Sequence, residues 1–98
     1  MVIFLGERLS ASLSGYLSQH LLEVATHTYV GAISARVRMQ LCGEITRQLG
    51  VFGAMTVIYT SNTPQGYTIV TYGETKYLPV EYDGIQLMAV RSGGGGSS

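Results

Sequence analysis

"HTYVGAISARVR", residues 27–38, changes from strand-like to helix-like sequence within one short segment. The β-branched and aromatic residues of "TYV" predict a very short strand. Ser34 is a candidate N-cap for the helix that follows. A stripe of apolar residues then recurs at helical spacing: Val37, Leu41, Ile45 and Leu49. The segment therefore predicts a strand joined almost directly to an amphipathic helix.

Arg36 and Arg38 fall in the first turns of this predicted helix. Backbone N–H groups are free at a helix N-terminus, and the helix dipole favours anions there. Two cations at that end are repelled unless an anion binds close by. A bound anion such as a phosphate would remove this repulsion, so both residues are candidate anion contacts. The alternative is that both are solvated surface arginines.

The N-terminal segment "MVIFLG" is an apolar run ended by glycine, and it predicts a strand buried on both faces. A serine-rich turn follows, in which Ser10 or Ser12 is the candidate cap of the next helix. Apolar residues recur at helical spacing in that helix: Leu13, Leu17, Leu21 and Val24. We expect it to end near residues 25–27.

The second half of the chain is strand-rich in sequence. "AMTVIYTS" and "YTIVTYG" each predict a strand, and "NTPQG" between them predicts a hairpin turn. Asp83 and Gly84 signal a further turn before the last predicted strand, "IQLMAV". The whole order predicts an α+β, ferredoxin-like domain in which two helices pack on one face of a mostly antiparallel sheet.

Composition limits the class of protein. Of the 98 residues, 1–92 form the predicted domain, and 93–98, "GGGGSS", are interpreted as a flexible artificial tail or linker stub. Charged residues make up 12% of the chain, against ~25% in average soluble domains, so we expect a subunit interface on the surface. The formal net charge is zero, which gives no electrostatic sign of generic nucleic-acid binding.

Several classes of site and location are disfavoured by the sequence. No apolar run approaches the ~20 residues of a membrane span, and "MVIFL" is too short for a signal peptide, so we expect a cytoplasmic protein without a membrane partner. Cys42 lies among apolar helical positions and is expected to be buried. His20 and His27 belong to no zinc-binding pattern. Half-buried sheet positions explain the seven tyrosines before base stacking does.

The segment "SGYLSQHLLEVATHTYVGAISARVR" resembles the LLEV…YVG…SA-x-V/I-R pattern of CRISPR-associated protein two in its type I-E form. Later segments agree with that family in order and spacing: "SNTPQGY", "TYG" and "LPVEYDGIQL". The resemblance covers residues 2–90. It implies a ferredoxin-like homodimer that acts in CRISPR adaptation. There it bridges two dimers of the integrase subunit, CRISPR-associated protein one, and holds the duplex of fork-ended incoming DNA.

The resemblance also implies which residues contact DNA. Arg36 and Arg38 lie where the family has basic residues, and Lys76 and Tyr77 lie where it often has a basic pair. Serines occupy two positions at which some relatives carry arginines that clamp the duplex. Arg8 is a further candidate. The predicted contacts are therefore Arg8, Ser12, Ser14, Arg36, Arg38, Lys76 and Tyr77.

Glu7 closes the first predicted strand, where the family has an acidic residue. Relatives are commonly described as magnesium-dependent endonucleases on single-stranded RNA or double-stranded DNA, so Glu7 is the candidate catalytic and metal-binding residue. The alternatives are a solvated loop glutamate or a partner of Arg8. The scaffold role needs no Mg²⁺, and a ferredoxin-like interaction module without either function is a third interpretation.

The C-terminal strand is a candidate partner interface. The family uses this segment to hold the other protomer and the integrase, and an exposed strand edge can pair with another chain. Its apolar residues are the predicted contacts: Ile85, Leu87, Met88 and Val90.

Overall fold

The computed structural model describes residues 1–91, which contain two helices and seven strands. In chain order they are β1 (Val2–Glu7), α1 (Ala11–Ser18), β2 (Leu22–Ala25), β3 (Thr28–Gly31), α2 (Ala35–Gln48), β4 (Ala54–Thr60), β5 (Tyr67–Gly73), β6 (Tyr77–Tyr82) and β7 (Ile85–Val90). The predicted tail, residues 93–98, lies outside the described part of the chain. No helix within residues 1–91 is long and apolar enough to cross a membrane.

Five strands form one antiparallel sheet in the order β2-β3-β1-β4-β5. The other two, β6 and β7, form a separate antiparallel hairpin. The predicted α+β class with two helices and a mostly antiparallel sheet is confirmed. The short strand "TYV" and the hairpin turn at "NTPQG" are also present, as β3 and as the β4–β5 connection.

The core lies between one face of the sheet and the two helices. Phe4, Tyr29 and Val57 lie side by side across β1, β3 and β4 and are fully buried. The helices contribute the remaining large buried side chains: Leu13 and Leu17 from α1, and Leu41 and Ile45 from α2. Burial of each such side chain stabilises the fold by about 1.5–3 kcal/mol.

Both helices begin at the serine caps that the sequence predicts. The Ser10 hydroxyl accepts a hydrogen bond from the Leu13 N–H at 3.1 Å, and the Ser34 hydroxyl accepts one from the Val37 N–H at 3.2 Å. A serine cap of this kind stabilises a helix by about 1 kcal/mol relative to alanine. The cap on α2 fixes where that helix starts and therefore where its first-turn side chains lie.

The first helix is shorter than its apolar spacing predicts, so the expectation that it ends near residues 25–27 is wrong. It ends at Ser18, and residues Leu22–Ala25 form β2 instead. That segment pairs with β3, which satisfies its backbone hydrogen bonds without a helix. Leu21 is buried as predicted, whereas Val24 is 54% exposed. Burial therefore follows the predicted stripe at three of its four positions, but only Leu13 and Leu17 lie within the helix.

Two expectations about the strands are also wrong. The first strand is buried on one face only, since Val2 and Phe4 are buried but Leu5 on the other face is 37% exposed. The sequence also failed to predict β6, which pairs with β7 across the predicted turn. That turn has positive φ at both Asp83 (54°) and Gly84 (79°), which suits the right-handed twist of a two-residue hairpin.

Side-chain hydrogen bonds from Gln86 join the β6–β7 hairpin to β5 of the sheet. The Gln86 side chain accepts from the Ile69 N–H at 2.8 Å and donates to the Ile69 carbonyl at 2.9 Å. Its amide therefore pairs with β5 as a neighbouring strand would. Gln65 completes the contact, because its side-chain carbonyl accepts from the Gln86 N–H at 2.8 Å.

Candidate nucleic-acid interface

Five of the seven predicted DNA contacts, together with Glu7, lie at the two ends of β1. Arg38 contacts Tyr59, which pairs with Val2 at the start of the strand. We call Arg36 and Arg38, in the first turns of α2, the arginine end. The strand finishes at Glu7, roughly 17 Å away by strand geometry. Glu7, Arg8, Lys76 and Tyr77 are close together there, and we call them the glutamate end.

At the arginine end, two cations follow the capped start of a 14-residue helix. The first turn of α2 contains no acidic residue. The ion pairs found within residues 1–91 join Arg8 to Glu7 and Arg47 to Glu44, so neither Arg36 nor Arg38 is neutralised by a carboxylate of that part of the chain. The positive end of the helix dipole and two positive side chains therefore lie together, an arrangement that favours a bound anion.

Arg38 lies against an aromatic ring. Its guanidinium carbon is 3.7 Å from the centroid of the Tyr59 ring, a cation–π contact at van der Waals distance. The two residues line a groove of about 250 Å³ between α2 and strands β4 and β5. The other lining residues are Met39, Cys42, Val57, Val70 and Tyr72. Arg36, in contrast, is exposed.

The groove contains no competing negative charge near neutral pH. Burial, followed by a hydrogen bond with Cys42, raises the pKa of Tyr72 from 10.0 to about 12. Arg38 acts in the opposite direction and lowers that pKa, but it does not outweigh burial. Tyr72 therefore stays protonated, and its phenol does not neutralise Arg38.

At the glutamate end, Glu7 is already engaged by groups of its own chain. One carboxylate oxygen is 3.4 Å from the Arg8 guanidinium, and the other accepts from the Lys76 N–H at 3.2 Å. Arg8 has a left-handed backbone, with φ 55°, and donates from Nε to the Phe52 carbonyl at 2.6 Å. Pairing of Glu7 with Arg8 was one of the alternatives left open by the sequence, and the structure has that pair.

Lys76 and Tyr77 begin the hairpin beside Glu7. Both side chains are exposed, and the Lys76 ammonium lies 5.7 Å from the Tyr77 ring centroid. Their backbone is fixed, because the Thr75 hydroxyl donates to the Tyr77 carbonyl at 2.6 Å and the Arg91 N–H donates to the Lys76 carbonyl at 2.8 Å. Lys76 therefore presents a cation from a backbone held by hydrogen bonds, at the same end of the sheet as Arg8.

The residues around Glu7 do not form a magnesium site within one chain. Glu7 supplies one carboxylate, and both of its oxygens have partners in the chain. Among residues 1–91, no three histidine, cysteine or acidic side chains are grouped so that they could hold a metal ion. Mg²⁺ needs several oxygen ligands in near-octahedral geometry. The surroundings of Glu7 in a single copy of the chain therefore do not fit a bound Mg²⁺.

The two candidate serines have different surroundings. Ser14 is half-buried, and its hydroxyl is 2.5 Å from the hydroxyl of the core residue Tyr29. Ser12 is exposed and donates to the Gln48 side chain at 3.1 Å. The structure therefore places Ser14 half-buried against the core residue Tyr29 and leaves Ser12 at the surface between α1 and the end of α2.

The hairpin displays the apolar residues predicted as an interface. Ile85, Leu87, Met88 and Val90 are all exposed. Met88 also lines a cavity of about 520 Å³ between the hairpin and the second face of the sheet, together with Leu5 and Ile69. The second face of the sheet is thus apolar and only partly covered by the hairpin.

A family model described as CRISPR-associated protein (Cas_Cas2CT1978) matches residues 1–87. The chain belongs to this CRISPR-associated family. The match includes both ends of β1 and most of the hairpin, so the two groups of site residues lie within the family domain. Met88 and Val90 lie beyond the matched range. Membership of this family supports a role in CRISPR adaptation.

No sequence pattern identified Tyr59 or Phe52 as part of the site of this CRISPR-associated protein. Tyr59 faces the helices, as the alternation along β4 from the buried Val57 allows. Its contact with Arg38 joins β4 to α2, and no sequence pattern links the two residues. Phe52 contributes its backbone carbonyl, which accepts a hydrogen bond from Arg8. Because every residue has such a carbonyl, the identity of residue 52 could not have indicated this contact.

Proposed function

We propose that the chain is the type I-E form of CRISPR-associated protein two and acts as a homodimeric scaffold in spacer acquisition. The dimer bridges integrase dimers and holds the duplex of fork-ended incoming DNA. The observation that carries the proposal is the unneutralised arginine pair at the start of α2. The family match and the order of motifs in the sequence support it.

The arginine end has the chemistry that duplex DNA requires. Phosphates carry one negative charge each, and their contacts position a protein on the duplex without reading sequence. A scaffold that accepts incoming DNA of any sequence needs contacts of this kind. Arg36 is exposed and can approach a phosphate directly, while Arg38 offers the edge of a guanidinium held on a ring.

The ferredoxin-like, dimeric part of the proposal rests on strand order and on surface. Strands β2, β3, β1 and β4 are adjacent in that order, with α1 and α2 each connecting two strands and packing on one face. The opposite face carries exposed apolar side chains such as Leu5, and the hairpin carries more. Apolar surface of this extent favours association with a second copy and with the integrase.

The test is to mix the purified protein with the integrase subunit from its own operon and a fork-ended duplex. Size-exclusion chromatography with light scattering then gives the mass of each species. We expect a ternary species with two copies of this chain and four of the integrase. A free dimer that joins neither integrase nor DNA would contradict the scaffold proposal.

The second candidate function is a magnesium-dependent endonuclease on single-stranded RNA or double-stranded DNA. One observation favours it, since Glu7 closes β1 with its side chain 32% exposed, and a second copy can bring a second carboxylate. Its bonds to Arg8 and to the Lys76 N–H weigh against it, because a metal would have to displace them. Cleavage of labelled RNA and DNA with and without Mg²⁺ tests this candidate.

A further inference from the structure

The Arg38–Tyr59 contact holds one of the two arginines near the start of α2 against an aromatic ring. Arg38 is half-buried, whereas Arg36, two residues earlier, is exposed. The guanidinium carbon of Arg38 is 3.7 Å from the Tyr59 ring centroid, which places the two groups in direct contact. Tyr59 itself is held in β4, opposite the buried Val2. The ring is therefore part of the rigid sheet, and the arginine rests on it.

We propose that Tyr59 is a positioning residue for Arg38 and holds its guanidinium ready for a phosphate. Stacking uses the face of the guanidinium and leaves its N–H donors along the edge. A free arginine side chain loses rotamer entropy when it is fixed, and an arginine already held on a ring loses less on binding. This inference deepens the proposed function and rests on it.

The surroundings of Arg38 support this role. The groove beside it is lined mainly by apolar side chains. Tyr72 adds no negative charge near neutral pH, because a phenol with the ordinary pKa of 10.0 is already protonated there and burial raises this pKa further, to about 12. No carboxylate of residues 1–91 forms an ion pair with Arg38. The ring therefore orients the Arg38 guanidinium and leaves its positive charge intact. A carboxylate in the same place would neutralise that charge.

The inference distinguishes the two arginines. Arg36 supplies charge from an exposed side chain, so its effect on DNA affinity comes from its charge close to a phosphate. Arg38 supplies charge from a fixed position, so its effect depends on the ring beneath it. Loss of the ring should therefore weaken the contribution of Arg38 and leave that of Arg36 unchanged.

The first measurement uses the free protein. NMR of the Arg38 side chain should show ring-current shifts of its δ and ε protons in the parent and in Tyr59→Phe, and these shifts should vanish in Tyr59→Leu. Thermal unfolding of both variants confirms that they fold. Unshifted Arg38 protons in the folded parent protein would overturn the inference without reference to DNA.

The second measurement is a double-mutant cycle on duplex affinity in the assembled complex. Tyr59→Leu should weaken binding about two- to fivefold, the range expected for a partly exposed cation–π contact, and Tyr59→Phe should bind as the parent does. In an Arg38→Ala background, Tyr59→Leu should have no further effect. An equal loss in both backgrounds would show a structural role and overturn the inference.

The cycle also distinguishes a failure of the role of Tyr59 from a failure of the proposed contact between Arg38 and DNA. If Arg38→Ala leaves affinity unchanged while the NMR shifts are present, the arginine rests on the ring but does not contact DNA. That result contradicts the proposed phosphate contact, and Tyr59 then positions nothing for DNA. If Arg38→Ala weakens binding but Tyr59→Leu does not, the proposed contact stands and only the role of Tyr59 is overturned.

Discussion

The two ends of β1 have similar numbers of charged residues, but these residues differ in whether they bond to other groups of the chain. At the glutamate end, Glu7 bonds to Arg8 and to the Lys76 N–H, and Arg8 bonds to the Phe52 carbonyl. At the arginine end, Arg36 and Arg38 pair with no carboxylate of residues 1–91. Charges satisfied within the chain hold segments together. Charges left without an opposite partner at a helix start are the ones suited to a ligand.

The largest expected effect is from removing the arginine pair. Arg36→Ala combined with Arg38→Ala should weaken duplex binding by the assembled complex about tenfold or more, because charged hydrogen bonds to phosphate are lost. The dependence of log affinity on log salt should flatten by about 0.9 for each phosphate contact removed. Affinity measured over a series of salt concentrations tests both expectations.

Arg47→Ala is the matched control for that prediction. Arg47 is on the same helix but in its last turn, where it pairs with Glu44 at 3.0 Å. Its removal should leave duplex affinity and the salt slope unchanged within about twofold, since exposed ion pairs of this kind contribute little. If Arg47→Ala weakened duplex binding as much as the double variant does, the position of the charge on α2 would not matter. That result would contradict the proposed role of the arginine end.

The two serines test whether a clamp can be restored. Ser12→Arg places a cation at an exposed position and should strengthen duplex binding, with a salt slope steeper by up to about 0.9. Ser14→Arg should instead destabilise the fold, because Ser14 is half-buried against Tyr29. Urea unfolding and duplex titration of both variants test this, and a Ser14→Arg variant as stable as the parent would contradict the placement of that serine.

Replacement of Glu7 should have a smaller effect, which we expect on the stability of the fold and not on assembly with the integrase. Glu7→Ala removes the acceptor for the Lys76 N–H and should lower the free energy of unfolding by about 1 kcal/mol. Glu7→Gln keeps an acceptor oxygen and should lose less. Integration of new spacers should continue in both variants if the protein is a scaffold. Loss of Mg²⁺-dependent cleavage together with loss of integration would favour the endonuclease instead.

The smallest expected effect is the alkaline titration of Tyr72. Its pKa is raised from 10.0 to about 12, so the folded state holds the phenolic proton more tightly than the unfolded state does. The stability from this group is complete below pH 10 and is lost as the pH rises toward 12. Tyr72→Phe should show a shallower fall in unfolding free energy over that range, and an identical fall would contradict the burial of this phenol.

The sequence predicted the local elements well where one signal dominated. The serine caps, the apolar stripe of α2 and the Asp83–Gly84 turn depend on neighbouring residues, and all are present. Val24 was assigned to a helix because its spacing fits one, but pairing with β3 gives that segment a strand. Strand β6 was not predicted, and it contains Pro79, a residue that usually argues against a strand interior and is tolerated here in a two-stranded hairpin.

The site could be predicted only in part, because its contacts join distant segments. Arg36 and Arg38 were identified by their place at a helix start, a local property. The bond from the Lys76 N–H to Glu7 joins the first strand to the hairpin, and the ring under Arg38 comes from β4. Ser14 and Ser12 look alike in sequence, and the contact with Tyr29, which lies in β3, distinguishes the half-buried Ser14 from the exposed Ser12.

The attachment of the hairpin by Gln86 has a consequence for local unfolding. Strands β6 and β7 pair with each other, while their link to the sheet includes side-chain bonds from Gln86 and Gln65 rather than a strand ladder. Such a unit can detach while β1 and β4 stay folded, so its amide protons should exchange with solvent faster than those of the central strands. A protein that binds the hairpin would then slow this exchange, and the slowed amides would mark its footprint.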